Sequence, residues 1–272
     1  MICIRELNQT IDQKSILSDI NVDIQKGKLT SLIGPNGAGK STLLSAISRL
    51  NAFDSGEILI DNQKVEDYPS IELAQKLSVL KQTNHTELNI TVEQLVNFGR
   101  FPYSKGRLTP KDRNHINEAI RLLKLEPIRH RYLKTLSSGQ RQRAYIAMTI
   151  AQDTDYILLD EPLNNLDMKH SVQIMQILRE LAMFYDKTIV IVIHDINFAS
   201  VYSDYIVALK EGKVIKSAEK NEVIDTHVLQ QVYDMNVRIE DIQGQKICIY
   251  FDESPCQYHQ VHKALFKVST GG

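Results

Sequence analysis

The chain has 272 residues, 43% of them hydrophobic and 24% charged, with 32 Lys and Arg against 33 Asp and Glu. That length suits one large α/β unit with a sizeable core, and the near-neutral balance excludes a whole-chain bias towards nucleic acid or anionic membrane. The three cysteines, Cys3, Cys248 and Cys256, have neither the number of a disulfide scaffold nor metal-ligand spacing, so they read as structural residues of a reducing compartment.

The N-terminus lacks a basic region ahead of a long apolar run, and no apolar run approaches the roughly 20 residues of a membrane helix. In chain order, ICIREL, ILSDINVDI and GEILID are short and β-rich, punctuated by Gly27 and Asp54-Ser55-Gly56; they predict antiparallel strands flanking a central core. KLTSLIG predicts a strand running into a glycine-rich turn. STLLSAISRL then predicts a helix with Leu43, Leu44, Ile47 and Leu50 on its inner face. LSVLK predicts another strand.

From about 91 to 152 the pattern is helical. TVEQLVNFG opens this lobe. TPKDRNHINEAIRLLKL follows, with Thr109 as N-cap, Pro110 at the first helical position, and Ile116, Ala119, Ile120 and Leu123 on one face. GQRQRAYIAMTIAQ adds a helix whose Ala144, Ala147, Met148 and Ala151 point inwards. DYILLDEP is a continuous apolar strand of the kind buried on both faces of a parallel sheet, followed by a helix at 168–185 and the strand TIVIVIHD. Strand, helix, strand implies a right-handed crossover. After Ile215 the signals weaken to a helix near 221–234, a hairpin in VRIEDIQGQKICIYF and a polar tail ending in Gly-Gly. The expected class is α/β: a mostly parallel sheet, an antiparallel β subdomain and an inserted α-helical subdomain at about 91–152. Residues 1–215 form the body and 216–272 an extension of the same domain.

Within that body GPNGAGKST, Gly34, Pro35, Asn36, Gly37, Ala38, Gly39, Lys40, Ser41 and Thr42, matches the phosphate loop G-x-x-x-x-G-K-[ST] between a strand and a helix, so the body reads as a P-loop NTPase core. Glycines let backbone N–H groups turn towards phosphate oxygens, the helix N-terminus adds positive potential, and Lys40 bridges the terminal phosphates. The Ser41 hydroxyl is a ligand for Mg²⁺. Asp160 and Glu161 follow a buried strand, at the edge where parallel sheets bind ligands. Asp160 suits a Mg²⁺ ligand held through water and Glu161 a group that polarises attacking water, although a solvated turn or helix cap would use the same two acids. His194 ends the next strand and is a candidate contact for a terminal phosphate, where a lone histidine is otherwise structural. Gln82 sits at the junction between a strand and the helical lobe, where an amide would contact metal and attacking water; by itself it reads as a surface glutamine. His85, His115 and His130 show no ligand spacing.

A second grip is LSSGQ, in which Ser137, Ser138 and Gly139 head a helix whose dipole and N–H groups seek an anion. A plain serine N-cap is the alternative. With the loop at Gly34, Gln82, LSSGQ, ILLDEP, NNLD and His194 in this order, residues 1–215 resemble the ATP-binding subunit of an ABC transporter. By that resemblance Ser137, Ser138, Gly139 and Gln140 belong to the signature, Gln82 is the Q-loop glutamine, Asn164 to Asp167 form the D-loop and His194 is the switch histidine. The resemblance implies a homodimer of ATPase subunits packed head to tail, the signature of one closing on MgATP held by the loop of the other, with Asp167 near that nucleotide. Glu161, His194 and Gln82 are the implied catalytic residues, and Ser41, Gln82 and Asp160 the implied metal set.

Three positions depart from the family pattern. Ser138 replaces one of the two glycines of the signature and Asn164 the first serine of the D-loop. Near Ile11, where the family's adenine-stacking aromatic falls, NQTIDQKS has no aromatic at all. Only 94 residues separate Ser41 from Leu136, which leaves no room for the coiled-coil insertion of a chromosome ATPase. With one ATPase unit and no membrane helices, the resemblance implies a separate integral membrane permease, a substrate-binding protein engaged indirectly, and a peripheral position at the cytoplasmic face of the cell membrane. VNFGRFPYSKGRLTPKD resembles the lobe of the ATPases of iron-siderophore, haem and cobalamin importers, and GRFPYS and DEPLNNLDMKHSV are most similar to the siderophore branch, that for catecholate or petrobactin-like chelates. Haem, cobalamin or metal import is the alternative, as is a nonmembrane ABC ATPase acting on nucleic acid or a soluble partner. Twelve Lys and Arg against three Asp and Glu lie between Arg100 and Arg143. The sparse aromatics there argue for a solvated face, or one near anionic headgroups, rather than a nucleic-acid partner.

Overall fold

The structure, a computed structural model, describes residues 1–81 and 89–251; Gln82, His85 and Cys256 lie outside the described residues. The chain starts as a long hairpin of β1 (Ile2–Ile11) and β2 (Lys14–Ile24), whose Asp12–Gln13 turn has both residues at positive φ, 48° and 64°. This turn matches the strand twist of a two-residue hairpin. β3 (Leu29–Ile33) runs through the phosphate loop into α1 (Lys40–Ile47), and β4 (Ser55–Ile60) and β5 (Gln63–Lys64) return to β1. The four outer strands form an antiparallel sheet in the order β2-β1-β4-β5. The three predicted β segments are its first three strands.

α2 (Ser70–Lys76) and β6 (Leu77–Leu80) precede the helical lobe, which contains α3 (Val92–Phe98), α4 (Phe101–Ser104), α5 (Pro110–Leu122) and α6 (Ser138–Ala151). Three of these helices begin with a reciprocal capping box: Thr91 with Gln94, Thr109 with Asp112, and Ser137 with Gln140. Each pairs two backbone N–H groups that would otherwise lack partners. The predicted inner face of α5, Ile116, Ala119, Ile120 and Leu123, is buried. So are Ala144, Ala147 and Ala151 of α6, with Met148 packed at the margin. Leu50 lies beyond the end of α1 and is exposed, because the helix stops at Ile47 and Arg49 takes a left-handed φ of 55°.

The chain re-enters the body through β7 (Tyr156–Asp160), α7 (Met168–Tyr185), β8 (Thr188–Val192), α8 (Ile196–Tyr202), β9 (Tyr205–Lys210) and β10 (Lys213–Glu219). The central sheet has the order β10-β9-β3-β8-β7-β6, parallel except for β10. Every residue of β3, β7 and β8 is buried. Alternate side chains serve opposite faces: Ile157, Leu159, Ile189 and Ile191 join the core with α7 and the helical lobe. Tyr156, Leu158, Val190 and Val192 join the core with α1 and the antiparallel sheet. This is why these strands read as unbroken apolar runs.

The predicted helix near 221–234 is two helices, α9 (Lys220–Val223) and α10 (Thr226–Tyr233). Asp225 breaks the run, since its side chain caps α10 by accepting from the His227 and Val228 N–H groups. The predicted hairpin is β11 (Arg238–Ile242) and β12 (Gln245–Ile249). Val223, Leu229, Val232 and Cys248 share a third core with Ile33 of β3. Among the described residues no helix is long and apolar enough to cross a membrane.

Candidate active site

The register of the sheet assembles the site. Leu32 of β3 pairs with Val192 of β8, which pairs with Asp160 of β7, so the three strands end in one row. Two residues past that row come Gly34 on one strand and His194 on its neighbour, with Glu161 directly after Asp160. The loop from Gly34 to Thr42 is held from two sides. At Gly34, φ is 142° and a Cβ would overlap the Leu209 carbonyl oxygen of β9; at Gly39, φ is 98° and a Cβ would lie 2.7 Å from Leu17 Cδ2 of β2. Between them the Ala38 N–H donates to the Pro35 carbonyl (3.2 Å), and the Ala38 carbonyl accepts from the Gly212 N–H (3.2 Å). α1 begins at Lys40, so its unpaired first-turn N–H groups, those of Ser41 and Thr42 included, open onto the loop.

Lys40 is only 5% exposed. Its Nζ donates to the carbonyls of Gly34 (2.8 Å) and Pro35 (2.9 Å). Burial lowers its ammonium pKa, opposed by the charges of Glu161 and Asp160. Asp160 is equally enclosed, and burial raises its pKa against a hydrogen bond donated by Ser41 Oγ at 2.8 Å. A buried carboxylate paired to one hydroxyl is stabilised by a cation, and these hard oxygen donors fit Mg²⁺. Glu161 leaves the strand at a φ of 49°. One carboxylate oxygen lies 2.7 Å from His194 Nε2 and the other accepts from Asn164 Nδ2 at 2.6 Å. Phosphate loop, acid pair and histidine thus meet at one edge. Gln82, assigned to the same edge by its sequence position, lies outside the described residues.

Ser137, Ser138, Gly139 and Gln140 stand apart from that edge at the head of α6. The Ser137 hydroxyl accepts from the Gln140 N–H and the Gln140 side-chain oxygen from the Ser137 N–H, each at 3.2 Å. Both side chains therefore serve their own helix, and the N–H groups of Ser138 and Gly139 have no intrahelical partner. They border a groove of about 330 Å³ shared with Asn165, Asp167 and Arg143; among the described residues none of Gly34 to Thr42 lines it. Asp167 caps α7 through the His170 N–H (2.8 Å), and this bond holds its carboxyl below the usual range. Arg143 turns inwards, donating from Nη1 to the Leu123 carbonyl at 3.0 Å, and burial lowers its pKa with Asp167 opposing.

The sequence profile of ABC transporters matches residues 17–164. A petrobactin import ATP-binding protein of Bacillus subtilis (strain 168), YclP, is 59% identical over 92% of this chain and 100% of its own length. This chain belongs to the ABC transporter family. FatE, a petrobactin import ATP-binding protein of Bacillus anthracis, is 48% identical over 90% of this chain and 97% of its own. The solved dimer of the ATP-binding cassette MJ0796, in a post-hydrolysis state bound to ADP and phosphate, superimposes with a TM-score of 0.74 at 32% identity. It covers 81% of this chain and 99% of that one. The family membership makes the chain the ATP-binding subunit of an ABC transporter and an ATPase.

Three placements in this ABC subunit come from the fold and not from a sequence motif. The amide of Asn164 holds the glutamate next to the strand end, a contact that only the fold of the 161–164 turn creates. The Tyr233 hydroxyl, 199 positions along, accepts from the Gly34 N–H at 3.0 Å. Ile11 is exposed at the foot of the Asp12–Gln13 turn, on a hairpin whose Leu17 abuts the phosphate loop at Gly39.

Proposed function

We propose that this subunit binds ATP with Mg²⁺ on Gly34–Thr42 and hydrolyses it to drive uptake of ferric siderophores of the petrobactin class through a separate integral membrane permease. The observation that carries the chemistry is the junction of Ser41, Asp160, Glu161 and His194 at the ends of three neighbouring strands. The backbone N–H groups of the loop bind phosphate oxygens, and Lys40 reaches the terminal phosphates by exchanging its two carbonyl partners for them. Ser41 and Asp160 would hold Mg²⁺, with Gln82 assigned by sequence alone. When bound, the ion neutralises charge on the terminal phosphates. Glu161, fixed between His194 and Asn164, orients the attacking water and takes up its proton; His194 faces the terminal phosphate.

The signature groove lacks a phosphate loop of its own, which supports a site completed by a second copy: Ser138 and Gly139 N–H groups meet a nucleotide on the partner's loop. The same arrangement brings Gln140 and Asp167 beside that nucleotide. For the permease, Ile71, Phe98 and Phe101 are exposed apolar side chains on α2, α3 and α4, and α2 and α4 are tied by a bond from Gln75 Nε2 to the Pro102 carbonyl (2.9 Å). Tyr103 Oη donates to the Gln75 carbonyl at 3.0 Å on the same seam. The subunit then sits peripherally at the cytoplasmic face, and a substrate-binding protein reaches it only through the permease.

The siderophore reading rests on likeness to the petrobactin import proteins and is tested by uptake. A strain lacking this chain should lose accumulation of iron-labelled ferric petrobactin and recover it on complementation. Unchanged ferric petrobactin uptake together with failed haem, cobalamin or metal uptake would refute the substrate.

A further inference from the structure

The region after β10 makes one contact with the nucleotide loop that the hydrolysis chemistry above leaves unused. Tyr233, the last residue of α10, is partly buried against the third core, and its hydroxyl accepts from the Gly34 N–H at 3.0 Å. The carbonyl of that same Gly34 accepts from Lys40 Nζ at 2.8 Å. One residue therefore joins the phenol to the loop lysine.

Both ends of this link are fixed. Gly34 lies so close to β9 that a Cβ there would overlap the Leu209 carbonyl. The next residue of β9, Lys210, grips the end of α10: Nζ donates to the Gln231 carbonyl (2.9 Å) and to both carboxylate oxygens of Asp234 (2.6 Å each). Just ahead of α10, Lys246 of β12 ties down α9 by donating to the carbonyls of Asn221 (2.7 Å) and Ile224 (2.8 Å). Cys248 and Asn197 exchange a pair of bonds that seat β12 on α8. A phenol at this place also stays neutral, since burial raises its pKa well above the ordinary tyrosine value.

We infer that Tyr233 is a positioning residue for nucleotide binding: by taking the Gly34 N–H it sets the first peptide of the phosphate loop, and through the Gly34 carbonyl it sets where the Lys40 ammonium waits. The unit after β10 thereby acts on ATP affinity without touching ATP. The inference rests on the reading of Gly34–Thr42 as the ATP site.

The test is Tyr233→Phe, which keeps the ring and its packing and removes only the acceptor. Steady-state ATP hydrolysis, equilibrium ATP affinity and thermal melting are compared with the parent and with Lys40→Ala. The Phe variant should raise KM and Kd for ATP about three- to tenfold, the range of one lost buried hydrogen bond. Its kcat should stay within about twofold of the parent and its midpoint within the few degrees such a bond accounts for. Lys210→Met, which frees the end of α10, should shift Kd in the same direction, and the double variant should shift it by less than the product of the two. Unchanged KM and Kd in Tyr233→Phe, with Lys40→Ala still abolishing binding, would overturn the link and leave the ATP site standing. A lowered kcat and melting point at constant KM would overturn it in favour of a purely structural tyrosine. Normal binding by Lys40→Ala would instead overturn the site itself.

Discussion

Replacing Glu161 with glutamine isolates one chemical property at a fixed geometry. The carboxylate is held by two short contacts, 2.7 Å to His194 Nε2 and 2.6 Å to Asn164 Nδ2, and its side chain is 9% exposed. A glutamine reproduces this shape: its amide oxygen accepts from Asn164, while its NH₂ donates to His194 when that nitrogen carries no proton. The loss in folding stability should therefore stay below about 1 kcal/mol, the net worth of one hydrogen bond. The loss in catalysis should be far larger, because an amide cannot take a proton from water; removing a positioned general base slows turnover by about 10²- to 10⁴-fold. At 1.36 kcal/mol per decade that is about 3–5 kcal/mol of transition-state stabilisation. Phosphate release from MgATP measures the rate, equilibrium nucleotide binding tests the loop, and size analysis with ATP tests the dimer. The expected variant binds ATP, accumulates as a nucleotide-bound dimer and scarcely turns over. Hydrolysis within about threefold of the parent would refute the role of Glu161. Loss of ATP binding along with hydrolysis would refute the separation of roles between Glu161 and the phosphate loop.

Other expectations follow from the same contacts. Ser138→Arg puts a long cation at the first position of α6 in the signature groove, and should leave ATP binding by the monomer within about twofold while abolishing ATP-dependent dimerisation and hydrolysis; normal ATPase activity would return LSSGQ to a simple capped helix. Arg100 and Asp112 form a buried ion pair at 2.9 Å, with Arg100 also donating to the carbonyls of Ala151 and Gln152. Asp112→Ala strands that guanidinium and should destabilise the chain by about 3–5 kcal/mol in denaturant melts. The Asp112 carboxyl is penalised by burial, but bonds from Thr109 and Arg100 outweigh this and bring it to about 2 from a usual 3.8. Its contribution is thus complete above the unfolded value of 3.8 and is lost as pH falls from there through about 2, a window that acid melts of parent and Asp112→Asn should reveal by their convergence. Burial also raises the Cys248 thiol to about 11. Thiol reagents at neutral pH should label it only on unfolding, as peptide mass mapping would show.

The local chemistry of this fold was readable because each piece is self-contained in sequence. The phosphate loop sits between a wholly buried strand and a helix, and Thr109-Pro110 and Ser137 announce the helices they cap within three residues. The position of Asp160 and His194 followed from buried parallel strands, whose ends must lie on one edge. What escaped was the choice of partner by a local side chain, or a contact made by long-range docking. The division between α9 and α10 turns on Asp225 choosing to cap, where hydrophobic spacing alone would carry a helix through. The contacts of Asn164 to Glu161 and of Tyr233 to Gly34 follow from a turn and a packed helix, and periodicity reports neither. Ile11, where the resemblance implies a stacking aromatic, is a solvent-exposed aliphatic.

The three reciprocal capping boxes bear on mechanics as well as on helix stability. A helix sealed at its starting end does not fray there, so α3, α5 and α6 resist internal give in the turns that face outwards. Where α6 rejoins the body, Arg100 clamps the Ala151 and Gln152 carbonyls and Gln152 Nε2 reaches the Leu77 carbonyl at 3.3 Å. The end of α6 opposite Ser138 is therefore the end fastened to the body.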